Sequence, residues 1–263
     1  MRRHTLVVFH AHPDDEAIAT GGAMARAASE GHRVVLVIGT RGELGEVAEG
    51  FLEPGEELGQ RRVKETHAAA EILGVARVEF LPYVDSGMMG WPQNDRPGSF
   101  WQADVDEAAA MVASILQEER ADVFTAYDEN GVYGHPDHIQ VHRVGLRAGE
   151  LAGTRKVYMN TVDRDRVLRM MSEAPPEDLP GDLDIENFQL GVSSDRITTR
   201  LDVRRFIDRK RQAMAAHASQ ISETSWFLSM PLEVFTEAFG EEHYILCGAP
   251  AGTSETDLFE GLD

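Results

Sequence analysis

The feature that most constrains this chain is a regular alternation of short apolar runs with longer amphipathic segments. Residues 6–9 are apolar and rich in β-branched side chains. Residues 15–30 then read as a helix, with Ala17, Ile18, Met24, Ala27 and Ala28 available to pack, and residues 34–38 form a continuous apolar run. A run without polar alternation is the pattern of a strand covered on both faces. The alternation continues with a helix over 57–73 stopped by Gly74, a strand over 78–81, a helix over 103–119, a strand over 123–126, a helix over 136–151 and a strand over 157–161. Glycine just past a helix is an effective stop because it accepts the left-handed conformation. This order predicts an α/β fold, a Rossmann-like, mostly parallel sheet with helices on both faces.

Residues 1–172 are expected to form that core. An acidic, Pro-rich connector follows at 173–184, with Pro175, Pro176, Pro180 and Gly181. Residues 185–252 read as a small C-terminal α/β extension completing the same domain, with a strand near 197–203, a helix to about His217 and a short strand at 244–247. The polar, acidic stretch 253–263 reads as a mobile tail. Two long loops, 42–55 and 85–100, are of a length more often functional than incidental. The second carries Gly87, Gly90, Pro92, Pro97 and Gly98 interleaved with Met88, Met89 and Trp91.

Ligands of open parallel sheets bind beyond the carboxyl ends of the strands. Two unusual segments stand there. The first is His10-Ala11-His12-Pro13-Asp14-Asp15-Glu16, after the first strand. Acidic residues opening a helix are satisfied by its dipole, but the dipole does not account for the histidines. Metal binding accounts for more: His12 and Asp15, three apart across a turn, can converge on one ion. Asp14 between them points elsewhere and could take a proton from a water at the metal. His10 is either a supporting group behind the site or a hydrogen-bonded core histidine. The second segment, Tyr127 to His138, follows the fourth strand and is a glycine-punctuated loop running into a helix at Pro136. His138 in the first turn would complete a His/Asp/His set with an open position, as catalytic zinc sites have. A carboxylate beside His135, such as Asp137, could keep that histidine protonated as a general acid. Tyr133 is either an oxyanion donor or a packed loop aromatic. His142, four after His138, has zinc spacing, but Ile139 stands where the metalloprotease glutamate would be.

Composition narrows the chemistry. A single cysteine, Cys247, rules out thiolate clusters and an intrachain disulfide and suits a cytoplasmic protein. The formal charge of −20 opposes broad binding to nucleic acid or anionic membranes. No apolar run approaches the roughly 20 residues needed to span a bilayer, and the N-terminal apolar stretch, which meets His10 and His12, reads as a strand and not a signal peptide. A homo-oligomer is left open.

The two segments together, A-H-P-D-D-E and Y-G-H-P-D-H, resemble the PIG-L/LmbE-like family of zinc-dependent N-acetylglucosaminyl deacetylases. The family includes the inositol N-acetylglucosamine deacetylase and the conjugate amidase of mycothiol metabolism. The resemblance is good over about residues 4–160. It implies one Zn2+ per chain, other divalent ions being admissible, on His12, Asp15 and His138. It also implies Asp14 as general base, His135 as the acid that protonates the leaving amine, Asp137 as its holder, and Tyr133 as an oxyanion group. Glu43, in a loop resembling the family's segment after the second strand, Arg62 of an Arg-x-x-Glu element, and His217, within the stretch 210–220 that resembles a C-terminal segment approaching the site, are the implied substrate-binding residues. The implied reaction is hydrolysis of an amide on a small-molecule N-acetylated amino sugar. An amidase of mycothiol-like thiol conjugates, or a non-catalytic zinc-bearing sugar- or nucleotide-binding protein, are the alternatives; against the last, no G-x-G-x-x-G follows the first strand.

Overall fold

A computed structural model of the chain describes residues 3–173 and 190–263. The elements run β1 Thr5–His10, α1 Asp15–Ala19, α2 Gly21–Ser29, β2 Arg33–Ile38, α3 Leu58–Leu73, β3 Arg77–Phe80, α4 Val105–Glu118, β4 Val123–Tyr127, α5 Gly131–Gly134, α6 Pro136–Ala152, β5 Lys156–Thr161 and α7 Arg164–Glu173. After the undescribed stretch come β6 Thr199–Asp202, α8 Ile207–Ala216, α9 Trp226–Ser229, α10 Leu232–Phe239 and β7 Glu241–Leu246.

Seven strands form one sheet in the order β3-β2-β1-β4-β5-β7-β6. The first five are parallel, and β7 and β6 are antiparallel to their neighbours. β1 shows why its run is uninterrupted. Leu6 and Val8 join one apolar cluster with Met24, Leu73 and Met214, while Val7 and Phe9 join the other with Val112, Val141 and Val144. All four side chains are fully buried, so each alternate position meets a helical layer and no polar residue can stand there. Strand order reverses between β1 and β4, which leaves a crevice beyond their carboxyl ends. Both unusual segments leave the sheet at that point.

Several expectations are revised. The helix expected over 15–30 breaks at Thr20. Its second part opens on the carboxylate of Glu242, which accepts from the Gly22 and Ala23 amides at 2.8 and 2.9 Å. A buried anion at a helix N-terminus satisfies donors that have no partner within the helix. Gly22 is required beside it, because a Cβ there would lie 2.4 Å from Val203. The stretch 253–263 is docked, not mobile. Leu258 is buried, and Glu255 accepts from Lys156 Nζ at 2.8 Å and Tyr158 Oη at 2.6 Å. A buried lysine on β5 needs an anion, and the C-terminal stretch supplies it. The connector at 173–184 lies, beyond Glu173, outside the described residues.

Candidate active site

β1 ends at His10 and the chain turns sharply through Ala11-His12-Pro13-Asp14 into α1. Asp14 sits at φ 101°, a left-handed conformation costly for a residue with a Cβ. The turn is held from several sides. Asp14 N–H donates to Glu16 Oε2 at 2.9 Å. Glu16 Oε1 pairs with His217 Nε2 at 2.6 Å, and both side chains are fully buried. Arg62 donates to the carbonyls of Pro13 and Gly42. The His12 amide donates to Asp15 Oδ2 at 2.9 Å, which folds that carboxylate back under the histidine.

The second segment leaves β4 at Tyr127. Asp128 accepts from the Asn130 and Val132 amides at 3.0 and 2.9 Å and so builds the tight turn. Gly131 has φ 58°, and a Cβ on it would lie 2.5 Å from His138 Cβ and 2.7 Å from backbone. Val132, β-branched, is held at φ 67°, and Tyr133 follows it. His135 caps α6: its Nδ1 accepts the Asp137 N–H at 3.1 Å. Nε2 of His135 therefore carries the ring hydrogen. His138 sits in the first turn of α6 with its ring stacked on Tyr127, centroids 4.5 Å apart and planes nearly parallel.

These side chains meet. Asp15 Oδ2 is 3.4 Å from His12 Nδ1 and 3.2 Å from His138 Nε2. Tyr133 Oη is 3.4 Å from the same His138 nitrogen. Among the described residues, His12, His135 and His138 offer ligand atoms within 4.8 Å of one another, as do His12, Asp85 and Asp137. A cleft of about 190 Å³ opens on them, lined by His12, Asp14, Asp15, Arg62, Tyr133 and His135 on one side and Leu44, Gly45, Asp85, Gly87, Met88 and Trp91 on the other. A larger cleft, about 310 Å³, runs beside Asp128, Arg164 and Arg196. Among the described residues it has no histidine in its wall.

Charge is unevenly shared here. Burial pushes the Asp14 carboxyl up to about 6, against the pull of the Arg62 guanidinium. For Asp15, burial is overcome by His138 and by hydrogen bonding to His12 and His138, and its carboxyl lies well below the usual range. Two neighbouring carboxylates are thus driven apart, one toward holding a proton and one toward staying ionised. His135 is pushed down to about 3 by burial and by His12 and His138.

The comparisons with known proteins bear on this arrangement. A family model described as PIG-L, GlcNAc-PI de-N-acetylase, matches residues 7–149. The 1D-myo-inositol 2-acetamido-2-deoxy-alpha-D-glucopyranoside deacetylase of Acidothermus cellulolyticus is 41% identical, covering 98% of this chain and 95% of the relative. The enzyme of that name from Geodermatophilus obscurus is 42% identical over 98% of this chain and 97% of its own length. The chain belongs to the PIG-L family. Among solved structures, N,N'-diacetylchitobiose deacetylase from Pyrococcus horikoshii matches with TM-score 0.59 and 23% identity, over 92% of this chain and 83% of that one. The 4-carboxy-2-hydroxymuconate hydratase of Pseudomonas putida shares the fold too, with TM-score 0.57, 19% identity and coverage of 94% and 97%. PIG-L architecture therefore hosts more than one reaction, and the side chains must decide between them.

In this PIG-L chain the donor set fits a divalent cation. Two imidazoles and one carboxylate converge without a thiolate, a combination suited to zinc and its neighbours. One expectation is corrected. The Asp137 carboxylate does not hold His135; its Oδ2 lies 3.1 Å from His12 Nε2, and only the Asp137 main chain reaches His135. Nor is His135 kept protonated, since burial and two flanking histidines oppose a charge there. Arg62 lines the cleft but directs hydrogen bonds to two carbonyls and approaches Asp14 at 3.4 Å. Glu43 accepts from the Asp85 amide at 3.1 Å and stands outside the residues lining the cleft. His217 is fully buried behind Glu16. His10 bonds Tyr127 Oη and Thr20 Oγ1, both at 2.8 Å, the satisfied core arrangement. His142 bonds the Tyr127 carbonyl.

Sequence reasoning missed Glu16, Tyr127, Asp85 and Ser86. Glu16 and Tyr127 were visible as polar flanks of the motifs. Asp85 and Ser86 carried no motif signal, and only their place at the start of the long loop pointed to them.

Proposed function

We propose that this chain is a divalent-metal-dependent, most simply zinc-dependent, deacetylase that removes the acetyl group from an N-acetylglucosamine-containing glycoside. The observation that carries the reading is the convergence of His12 Nδ1 and His138 Nε2 on one Asp15 oxygen, at 3.4 and 3.2 Å, beside a second carboxylate that is free to titrate. His12, Asp15 and His138 would hold the cation, which when bound supplies Lewis-acid polarisation of the acyl oxygen and acidification of water.

The remaining steps fall to side chains lining the cleft. Asp14 accepts a proton from the attacking water. Tyr133 is kept protonated, because burial and then Asp15 and Asp14 raise its phenol, so it can donate to the developing oxyanion. His135, with its hydrogen on Nε2, donates a hydrogen bond toward the scissile amide. As the C–N bond breaks, the nitrogen takes the proton gathered by Asp14, and acetate and free amine leave. Atoms balance: one water is consumed, its oxygen bonds to the acyl carbon as the C–N bond breaks, one of its hydrogens passes through Asp14 to the amine, and the other leaves with the acetic acid, which ionises to acetate in solvent.

The relatives' printed substrate, a 1D-myo-inositol 2-acetamido-2-deoxy-α-D-glucopyranoside, is the first to assay. Metal analysis of the purified chain, with acetate and primary amine measured from that glycoside, tests the reading. Stoichiometric metal and equal release of acetate and amine are expected. Metal-loaded protein that releases neither from any N-acetylglucosaminide would overturn it.

A further inference from the structure

We propose that Asp137 is a positioning residue for His12, and that through Ser86 it ties the 85–101 loop to the same imidazole. The proposal rests on the reading of His12 as a metal ligand. Asp137 is fully buried, and its Oδ2 has two partners: His12 Nε2 at 3.1 Å and the Ser86 amide at 3.0 Å. A carboxylate accepts only, so His12 carries its ring hydrogen on Nε2. With a cation bound, the lone pair on Nδ1, the nitrogen that faces Asp15 at 3.4 Å, would be the one offered to it. Histidines that bind metals commonly give their second N–H to a carboxylate, which fixes tautomer and ring orientation and makes the ligand more basic. Asp85 Oδ1, 3.7 Å from the same Nε2, adds negative charge but lies beyond hydrogen-bonding distance.

The other partner gives the carboxylate its second role. Ser86 is the knot of the long loop. Its Oγ accepts the Trp101 amide at 2.9 Å and its carbonyl accepts Asn94 Nδ2 at 2.7 Å. The residues on either side, Asp85, Gly87, Met88 and Trp91, line the cleft. One oxygen therefore joins the far wall of the cleft to the imidazole that would meet the metal. A shift of the Ser86 amide is felt at His12, and the reverse.

The arrangement permits a clean test, because Asp137 reaches His135 only through its main-chain amide. Removing the carboxylate leaves that contact in place. Zinc affinity of Asp137→Ala, measured by competition with a chromophoric chelator, is expected to fall about 10- to 100-fold relative to the unsubstituted chain, the usual cost of losing such a partner. Turnover at saturating zinc should recover in large part. Amides of Ser86 and Gly87 should lose the protection from hydrogen exchange that zinc confers on the unsubstituted chain. Asp137→Asn, near-isosteric, keeps the test alive if the alanine variant does not fold. Its single carbonyl can serve both donors only weakly, so a smaller loss of affinity is expected. Zinc affinity within about twofold of the unsubstituted chain in the folded variant, with His12→Ala abolishing binding, overturns the proposal alone. If His12→Ala binds zinc unchanged, the ligand reading itself has failed. Imidazole NMR of the zinc-loaded chain gives an independent check: hydrogen on Nε2 of His12 is expected, and hydrogen on Nδ1 overturns the proposal.

Discussion

The parallel and antiparallel parts of the sheet serve the site in different ways. Among the described residues, those lining the cleft at His12 and Asp15 lie between His12 and His135, on the loops and helix starts that follow the parallel strands and on α3, which supplies Arg62. Among the described residues, none comes from the antiparallel extension. Yet the extension supports the cleft from behind. His217 pairs with Glu16, Ser219 donates to Glu65 through its amide and hydroxyl at 2.9 and 2.6 Å, and Glu242, paired with Lys210 at 2.7 Å, caps α2. The parallel half thus supplies groups that can touch a substrate, and the extension fixes the backbone that presents them. Loss of the first should cost rate at constant stability; loss of the second should cost stability first.

Asp14 offers the largest break. If it handles both proton transfers, Asp14→Asn should lower kcat by about 10³-fold or more, at the upper part of the range for acid–base groups. Metal content and thermal midpoint should stay near those of the unsubstituted chain. His135→Asn keeps a hydrogen-bond donor in the cleft and should fall less far. Steady-state rates of the two variants decide the matter. Equal losses would return the proton delivery to His135, and an unchanged rate for Asp14→Asn would remove Asp14 from the chemistry.

His217→Ala is the counterpart from the extension. It leaves Glu16 charged and fully buried, and breaking a buried pair from one side costs about 3–5 kcal/mol. Equilibrium urea unfolding should show that loss, with a midpoint well below that of Asp14→Asn. His217→Gln, which can still donate to Glu16, should recover much of it. A stability change under about 0.5 kcal/mol would mean that the extension does not support the Asp14 turn as described.

The same division explains what the sequence could reveal. The convergence of His12, Asp15 and His138 was legible because a strand end and a helix start fix His12 and Asp15 within four positions, and Pro136 does the same for His138. Short-range geometry leaves a short-range signature. The parallel sheet was legible from its doubly buried runs for a like reason. Support came from afar: Glu16 meets a residue 201 positions away, and Asp137 meets Ser86 across 51. Neither partner carries a pattern of its own, so His217 read as a substrate contact and Asp137 as the holder of His135. The C-terminal stretch read as mobile because its composition is polar and acidic. Its order comes from partners elsewhere, Lys156 and Tyr158 on β5 and Arg26 on α2, and from the burial of Leu258, demands invisible in the stretch itself.

The smallest expected effect measures how far the extension reaches into the cleft. Burial raises the Asp14 carboxyl to about 6; Arg62 and, more weakly, His217 pull it back. His217 is itself shifted toward its cationic form, because Glu16 outweighs the burial that would lower it. Carbon-detected titration of the metal-free chain should therefore find Asp14 protonated below about pH 6 and ionised above it. Replacing His217 by Gln removes a positive charge that favours the ionised form, so the midpoint should move upward. The direction is the test: an unmoved midpoint confines the extension to mechanical support, and a downward shift contradicts the cationic state of His217. An upward shift shows that the extension, without lining the cleft, also tunes the proton acceptor within it.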